Sequence, residues 1–150
     1  MDRRMFVVGV LAAGLLGLGS PAAALEPVSK GEDGLALGGH DAVAYFTESK
    51  PIAGKKEFQA QWNGATWQFA SAEHREAFVK APEKYAPQYG GYCAYAVAKG
   101  ASAPGDPTLW KVVDGKLYVN KNADVHKLWN QDVPGYIVQA DRNWPAVMKK

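Results

Sequence analysis

The sequence contains a single cysteine, Cys93, in 150 residues. One cysteine cannot form an internal disulfide or a Cys-x-x-Cys pair, so the chain is neither a disulfide-stapled scaffold nor a self-contained dithiol oxidoreductase. Methionine is also scarce, and beyond the first five residues only Met148 occurs, which excludes a methionine-rich copper relay. The sequence has no phosphate-binding glycine loop and no nucleophile elbow, so nothing in it supports hydrolase chemistry.

Charge of either sign is modest. The chain has 17 Lys and Arg against 15 Asp and Glu, a net charge of +2, and its basic residues form no patch. We therefore expect no nucleic-acid partner. A hydrophobic content of 47% and a charged content of 21% are ordinary for a globular protein and argue against disorder.

The longest apolar run lies at the N-terminus. Arg3 and Arg4 precede the apolar residues 5–18, and three alanines follow at 22–24. The run is too short and too rich in glycine for a good membrane span, so an uncleaved anchor is the weaker alternative. We predict a cleaved signal peptide over residues 1–24, a domain over residues 25–150 with no stable membrane span after cleavage, and a periplasmic or secreted location. The paired arginines resemble a twin-arginine signal, although Asp2 stands where Ser or Thr is usual, and the general export route stays open.

Two hairpins are indicated by their turns. Asn63-Gly64 is typical of a two-residue type I′ turn, and alternating side chains over residues 58–69 agree with it. Asp114-Gly115 predicts a second hairpin over residues 109–120. The predicted cross-strand pairs are Trp62 with Ala65, Ala60 with Trp67, Phe58 with Phe69, Val112 with Leu117 and Trp110 with Val119.

Helix signals fill most of the remaining chain. Start signals stand at Ser71, Pro82, Asn122 and Asp132. We expect the last helix to end at Trp144-Pro145, and the segment from Leu25 to Asp33 to be a loose lead-in. The predicted fold is a small single α+β domain with two β-hairpins and about four short helices.

The cysteine stands in a conspicuous place. Gly90 and Gly91 precede it, an apolar run over residues 94–98 follows, and Gly100 closes that run, which predicts a short helix with Cys93 at its start. A thiol there faces unpaired N–H groups that favour the thiolate. The alternative is a small buried hydrophobic residue, and the sequence leaves both open.

Histidines supply the other candidates. His40 lies in a glycine-flanked turn beside Asp41, a pairing that could orient an imidazole for metal binding or proton transfer. Together with Cys93 they could form a low-coordinate site for Cu(I) or Zn(II). We expect His74 and His126 to be exposed. Four tyrosines could line a pocket for a small ligand or pack into the core: Tyr85, Tyr89, Tyr92 and Tyr95.

Several runs resemble the YHS domain family, in its exported branch of small stand-alone proteins. They cover residues 37–46 (LGGHDAVAYF), 67–71 (WQFAS), 85–94 (YAPQYGGYCA), 110–120 and 140–145. The resemblance covers nearly all of residues 25–150 and implies a core like that of treble-clef zinc knuckles. YHS domains occur in copper-transporting ATPases and beside multicomponent monooxygenases, where they are described as metal-binding modules.

The chain departs from the metal-binding members of that family. The knuckle cysteines are replaced by Ala44, Ala70 and His74, and Ala42 stands in place of the usual proline. The resemblance therefore implies a treble-clef-like core without the knuckle ligands. Some members of the exported branch are described as selenoproteins with selenocysteine where Cys93 stands, which implies a reactive thiol here.

The leading hypothesis is an exported YHS-type binding module without turnover, which holds copper or zinc through Cys93 with His40, and with Asp41 as a further candidate ligand. The first alternative is a thiol redox protein, with Cys93 as the catalytic residue toward peroxide or a partner disulfide. The second is a structural or partner-binding domain whose cysteine is buried, with a protein partner in the exported compartment.

Overall fold

A computed structural model describes residues 24–150. Residues 1–23 of the predicted signal peptide lie outside the described residues. From residue 24 onward, no helix is both long enough and apolar enough to cross a membrane.

Short helices and hairpins alternate along this part of the chain. The elements are α1 (Ala44–Thr47), β1 (Lys55–Trp62), β2 (Ala65–Phe69), α2 (Ala72–Lys80), α3 (Pro82–Tyr85), α4 (Ala94–Ala98), β3 (Asp106–Val113), β4 (Lys116–Asn120), α5 (Ala123–Asn130) and α6 (Val133–Met148). Single 3₁₀ turns stand at Leu37–Gly39 and Gln88–Gly91. Each hairpin is its own two-stranded antiparallel sheet. The predicted small α+β domain with two hairpins is confirmed.

The first hairpin turns at Asn63-Gly64, where both residues have positive φ. The predicted pairs of Trp62 with Ala65 and Ala60 with Trp67 are confirmed. The pairing of Phe58 with Phe69 is wrong, since an irregularity in β1 shifts the register and places Lys55 opposite Phe69. A bulge inserts residues into one strand only, and side-chain alternation does not reveal it.

The second hairpin has the predicted pairs, Val112 with Leu117 and Trp110 with Val119. Its first strand begins at Asp106, three residues before the predicted start, and Asp106 lies opposite Asn120. The hairpin therefore ends on a polar pair.

The helix starts follow their capping signals. Ser71 accepts a hydrogen bond from the His74 amide, and Asn122 and Asp132 cap α5 and α6 in the same way. The predicted end of the last helix is wrong, because α6 continues through Pro145 to Met148. Pro145 removes one backbone donor, and the rest of a 16-residue helix tolerates that loss.

Strand β4 separates two clusters of buried side chains. Leu117 and Val119 face the first core, with Trp67, Phe69 and Phe78 among its large members. Tyr118 faces the second core, which holds Tyr89, Val97 and Trp129. Successive side chains of a strand point to opposite faces, so β4 contributes to both cores.

The segment before the first turn is anchored. Val28 is only 2% exposed, and the Ser29 amide donates to the Gly90 carbonyl at 2.8 Å. The expected loose lead-in is therefore wrong at these residues. Gly90 has a φ of 60°, and a side chain there would collide with the backbone of Pro27, so the glycine is needed for this close approach.

Candidate functional site

Cys93 lies at the start of α4 as predicted, and it is completely buried. Its amide donates to the Ala103 carbonyl at 2.8 Å, and its Sγ donates to Asn120 Oδ1 at 3.6 Å. A thiolate could not donate this hydrogen bond and would face the lone pairs of a carbonyl oxygen. In this arrangement Cys93 is a buried hydrogen-bond donor, in contrast to the presented thiolate that the helix start suggested.

Asn120 caps α4 from a different element. Its Oδ1 also accepts the backbone N–H of Tyr95 at 3.0 Å, in the first turn of the helix, while Cys93 makes no side-chain cap bond. Its Nδ2 lies 3.0 Å from His126 Nδ1. Asn120 is fully buried, so one amide joins the cysteine, the start of α4 and a histidine of α5.

His126 was expected on the surface, and this expectation is wrong. The side chain is partly buried, and its ring stacks on Trp129 with the ring centroids 6.1 Å apart. Burial, and to a lesser extent the Lys111 cation, lower the pKa of His126 below its ordinary value of 6.5. Neither Asn120 nor His126 belongs to the predicted site, although a polar residue directly after the apolar strand residues 117–119 is a usable signal for a buried hydrogen-bonding group.

Asp41 is the second buried polar centre and is 0% exposed. Its Oδ1 accepts the amides of Val43 and Ala44 at 2.9 and 3.2 Å, at the start of α1. Its Oδ2 accepts the amide of Ala70 at 2.9 Å and the Nδ1–H of His74 at 2.6 Å. Four donors surround this carboxylate, which thus connects α1 to the turn between β2 and α2.

The predicted pairing of His40 with Asp41 is wrong. His40 Nδ1 lies 3.0 Å from the Leu37 carbonyl, whereas Asp41 binds His74, which lies 33 residues further along the chain than Asp41. The His74 side chain is 18% exposed, and its Nε2 lies 3.4 Å from Thr47 Oγ1. His74 was expected to be exposed and proves to be a partly buried partner of the carboxylate.

The candidate metal ligands Cys93, His40 and Asp41 do not form a common site in the structure. Between residues 24 and 150, no three His, Cys, Asp or Glu side chains are grouped so as to hold a metal ion. Cys93, His40 and Asp41 each have hydrogen-bond partners outside the proposed set. Around Asp41, however, stand Ala44, Ala70 and His74, the three positions at which the resemblance places the knuckle ligands.

The tyrosines near Cys93 belong mainly to the core. The Tyr89 hydroxyl donates to Asp141 Oδ1 at 2.8 Å, the Tyr92 hydroxyl donates to the Glu26 carbonyl at 2.8 Å, and burial raises the pKa of both. Tyr85 and Tyr95 are partly buried. Hydrogen bonds within the domain therefore occupy the hydroxyls of Tyr89 and Tyr92.

Open clefts lie beside the cysteine loop, on its outer side. Two adjoining clefts of about 340 and 280 Å³ run between residues 26–38 and residues 91–107, and they share Ser29, Lys30, Gly31 and Pro104 as walls. Tyr92 lines the larger one. Cys93 lines neither, so a small molecule in these clefts would not touch the thiol.

The comparisons with known proteins add no relative. No family model matches the chain, and no curated protein or solved structure matches it either. Membership of the YHS family, expected from the quoted runs, stays a prediction that depends on those residues alone.

Proposed function

We propose that residues 25–150 form an exported YHS-type binding module without catalytic turnover, in which Cys93 is a residue of the core. The observation that carries the proposal is the complete burial of Cys93 with its Sγ donating to Asn120. Of the three hypotheses drawn from the sequence, this geometry best supports the partner-binding domain with a buried cysteine.

The soft-metal hypothesis requires the hydrogen bonds of Cys93 and His40 to change. Cysteine binds Cu(I) or Zn(II) as a thiolate, so binding at Cys93 would break the hydrogen bond that its Sγ donates to Asn120 at the start of α4. His40 would also have to give up its contact with Leu37, or bind through its other nitrogen. Binding through Cys93, His40 and Asp41 therefore stays a prediction that this geometry does not favour.

The burial of Cys93 also disfavours thiol redox chemistry. Peroxide or a partner disulfide must reach Sγ, and oxidation follows thiolate character and exposure. Cys93 is completely buried and its Sγ donates to Asn120, so reaction would depend on local opening of α4.

The arrangement around Asp41 supports the YHS type. In a zinc knuckle the metal joins two turns that are distant in sequence. Here one carboxylate joins the turn before α1 to the turn after β2 by binding Ala44, Ala70 and His74. Such a chain needs no metal to hold these turns together, which agrees with the replacement of the knuckle cysteines.

Thiol accessibility tests the proposal directly. We expect Cys93 in the native protein to react with a disulfide reagent at least about 100-fold more slowly than in urea, because reaction requires local opening. The matched control carries Cys93→Ala and Ser102→Cys, which places a thiol at an exposed residue of the neighbouring loop. This control should react equally fast in both conditions. A native Cys93 that reacts as fast as the control would overturn the buried-core assignment.

Metal content gives a second, independent test. Wild-type protein and Cys93→Ser would be loaded with Cu(I) and with Zn(II) under anaerobic conditions, and the retained metal would be measured by elemental mass spectrometry. We expect no retention that depends on Cys93. One equivalent retained by the wild type alone would reinstate the soft-metal hypothesis, and His40→Ala would then test the second ligand.

A further inference from the structure

The three histidines of the chain differ in what their Nδ1 atoms face. His40 Nδ1 faces the Leu37 carbonyl, and His74 Nδ1 faces the Asp41 carboxylate. A carbonyl or carboxylate oxygen only accepts, so both nitrogens carry a proton. His126 Nδ1 instead faces the side-chain amide of Asn120.

The orientation of that amide follows from its other partner. The backbone N–H of Tyr95 can only donate, so the atom of Asn120 that it meets at 3.0 Å must be the oxygen. The NH₂ group, which can only donate, therefore faces His126. It follows that His126 Nδ1 must accept, and that the ring is neutral with its proton on Nε2.

We propose that the hydrogen bond between Asn120 and His126 is an acid-sensitive latch, which holds α5 on β4 and on the start of α4 only while His126 is neutral. Protonation places a proton on both ring nitrogens, so two donors then face each other. Asn120 cannot rotate to compensate, because its NH₂ group would then face the Tyr95 amide and the Cys93 thiol. The imidazolium must move away, and α5 carries it.

The neighbours of His126 offer its cation no partner. On β3, Lys111 is itself a cation and disfavours a second charge. Tyr118 of β4, which packs against Trp129, stays neutral because burial raises its pKa to about 12. Between residues 24 and 150 the only carboxylate within ion-pair distance of a histidine is Asp41, beside His74. Stacking on Trp129 attracts a cation weakly, and burial works against it.

The sign of the pH effect follows from this geometry. Since the pKa of His126 is lower in the folded protein than its ordinary value of 6.5, the unfolded chain binds the proton more readily. The stabilising contribution is complete above about pH 6.5, and it is lost as the pH falls from there through the folded-state pKa. For each unit by which folding lowers the pKa of His126, the folding equilibrium constant falls about tenfold between neutral pH and a pH below the folded-state pKa.

Nitrogen NMR of the ¹⁵N-labelled protein tests the latch without any substitution. At neutral pH we expect the Nε2–H tautomer for His126, and a proton on Nδ1 for His40 and His74. On acidification His126 should titrate below about 6.5, and the amides of α5 should lose protection from exchange with it. A proton on Nδ1 of neutral His126, or titration at or above the ordinary value, overturns the proposal.

Two substitutions separate the latch from a merely structural contact. His126→Asn keeps an acceptor near the position of Nδ1 but cannot titrate, so the acid-dependent loss of folding equilibrium constant seen in the wild type should disappear. Asn120→Asp replaces the facing NH₂ group by an acceptor, so His126 should now titrate above about 6.5, a reversal of direction. His40→Asn is the control and should keep the wild-type loss attributed to His126. If a variant fails to fold, the tautomer of the wild-type ring still decides.

Discussion

Asp41 and Asn120 have the same structural role in two parts of the domain, but one is a carboxylate and the other is an amide. Each is completely buried, each accepts at least one backbone N–H group at the start of a short helix, and each meets one histidine through Nδ1. Asp41 only accepts, whereas Asn120 accepts through its oxygen and donates through its nitrogen. The carboxylate therefore requires a proton on the Nδ1 atom that it meets, and the NH₂ group of the amide requires an Nδ1 atom without a proton.

The two centres also differ in how much depends on them. Asp41 collects four donors, including three backbone amides from two separate turns. Asn120 collects one backbone amide and one thiol and donates to one ring. A buried donor without a partner lowers the free energy of unfolding by more than an average hydrogen bond contributes to it. We therefore rank the expected effects by the number of donors that each substitution leaves without a partner.

Asp41→Ala should therefore have the largest effect. It strands three backbone N–H groups and the His74 ring, and we expect it to lower the free energy of unfolding by about 3–5 kcal/mol. Asp41→Asn is the matched control and should lose less, since its oxygen can still serve one pair of donors. Urea unfolding monitored by circular dichroism measures both. A loss below about 1 kcal/mol for the alanine variant would show that the four contacts do not organise this region.

Asn120→Ala should come second. It removes the cap of α4 and strands the Tyr95 amide, and we expect a loss of about 2–3 kcal/mol in the free energy of unfolding. Hydrogen exchange should show the loss concentrated in α4 and α5. The comparison between the two centres fails if this variant is as unstable as Asp41→Ala, or if exchange rises equally throughout the domain.

Cys93→Ala should have a smaller effect, about 1 kcal/mol, because it removes one sulfur atom from the core and one weak hydrogen bond. Cys93→Ser keeps a donor for Asn120 at nearly the same place and separates that bond from the loss of volume. The same unfolding measurement applies. A loss above about 3 kcal/mol for the alanine variant would give the thiol a larger share of this centre than its single 3.6 Å contact suggests.

His40→Gln should have the smallest effect, within about 0.5 kcal/mol, because His40 belongs to neither centre and is only partly buried. His74→Gln, which removes a partner of Asp41, should cost more than His40→Gln in a parallel unfolding experiment. Equal losses would mean that the Asp41–His74 contact at 2.6 Å contributes little to stability.

Local signals in the sequence predicted much of the fold. The Asn63-Gly64 and Asp114-Gly115 turns placed both hairpins, and Ser71, Asn122 and Asp132 placed three helix starts. Each of these signals acts within a few residues of chain, so nothing distant is needed to interpret it. The bulge in β1 and the continuation of α6 through Pro145 are different, because packing on the rest of the domain decides whether a strand bends or a helix tolerates a proline.

The local sequence was enough to place Cys93 at a helix start and to place the turns of both hairpins. The partners of the buried polar groups depend on the packing of distant elements: Asp41 binds His74 and not its neighbour His40, and Cys93 meets Asn120, which meets His126. These two kinds of interaction differ in how far along the chain they act. A cap or a tight turn is stabilised within one segment, whereas the partner of a buried polar group is whichever side chain the packing of separate elements brings within hydrogen-bonding distance.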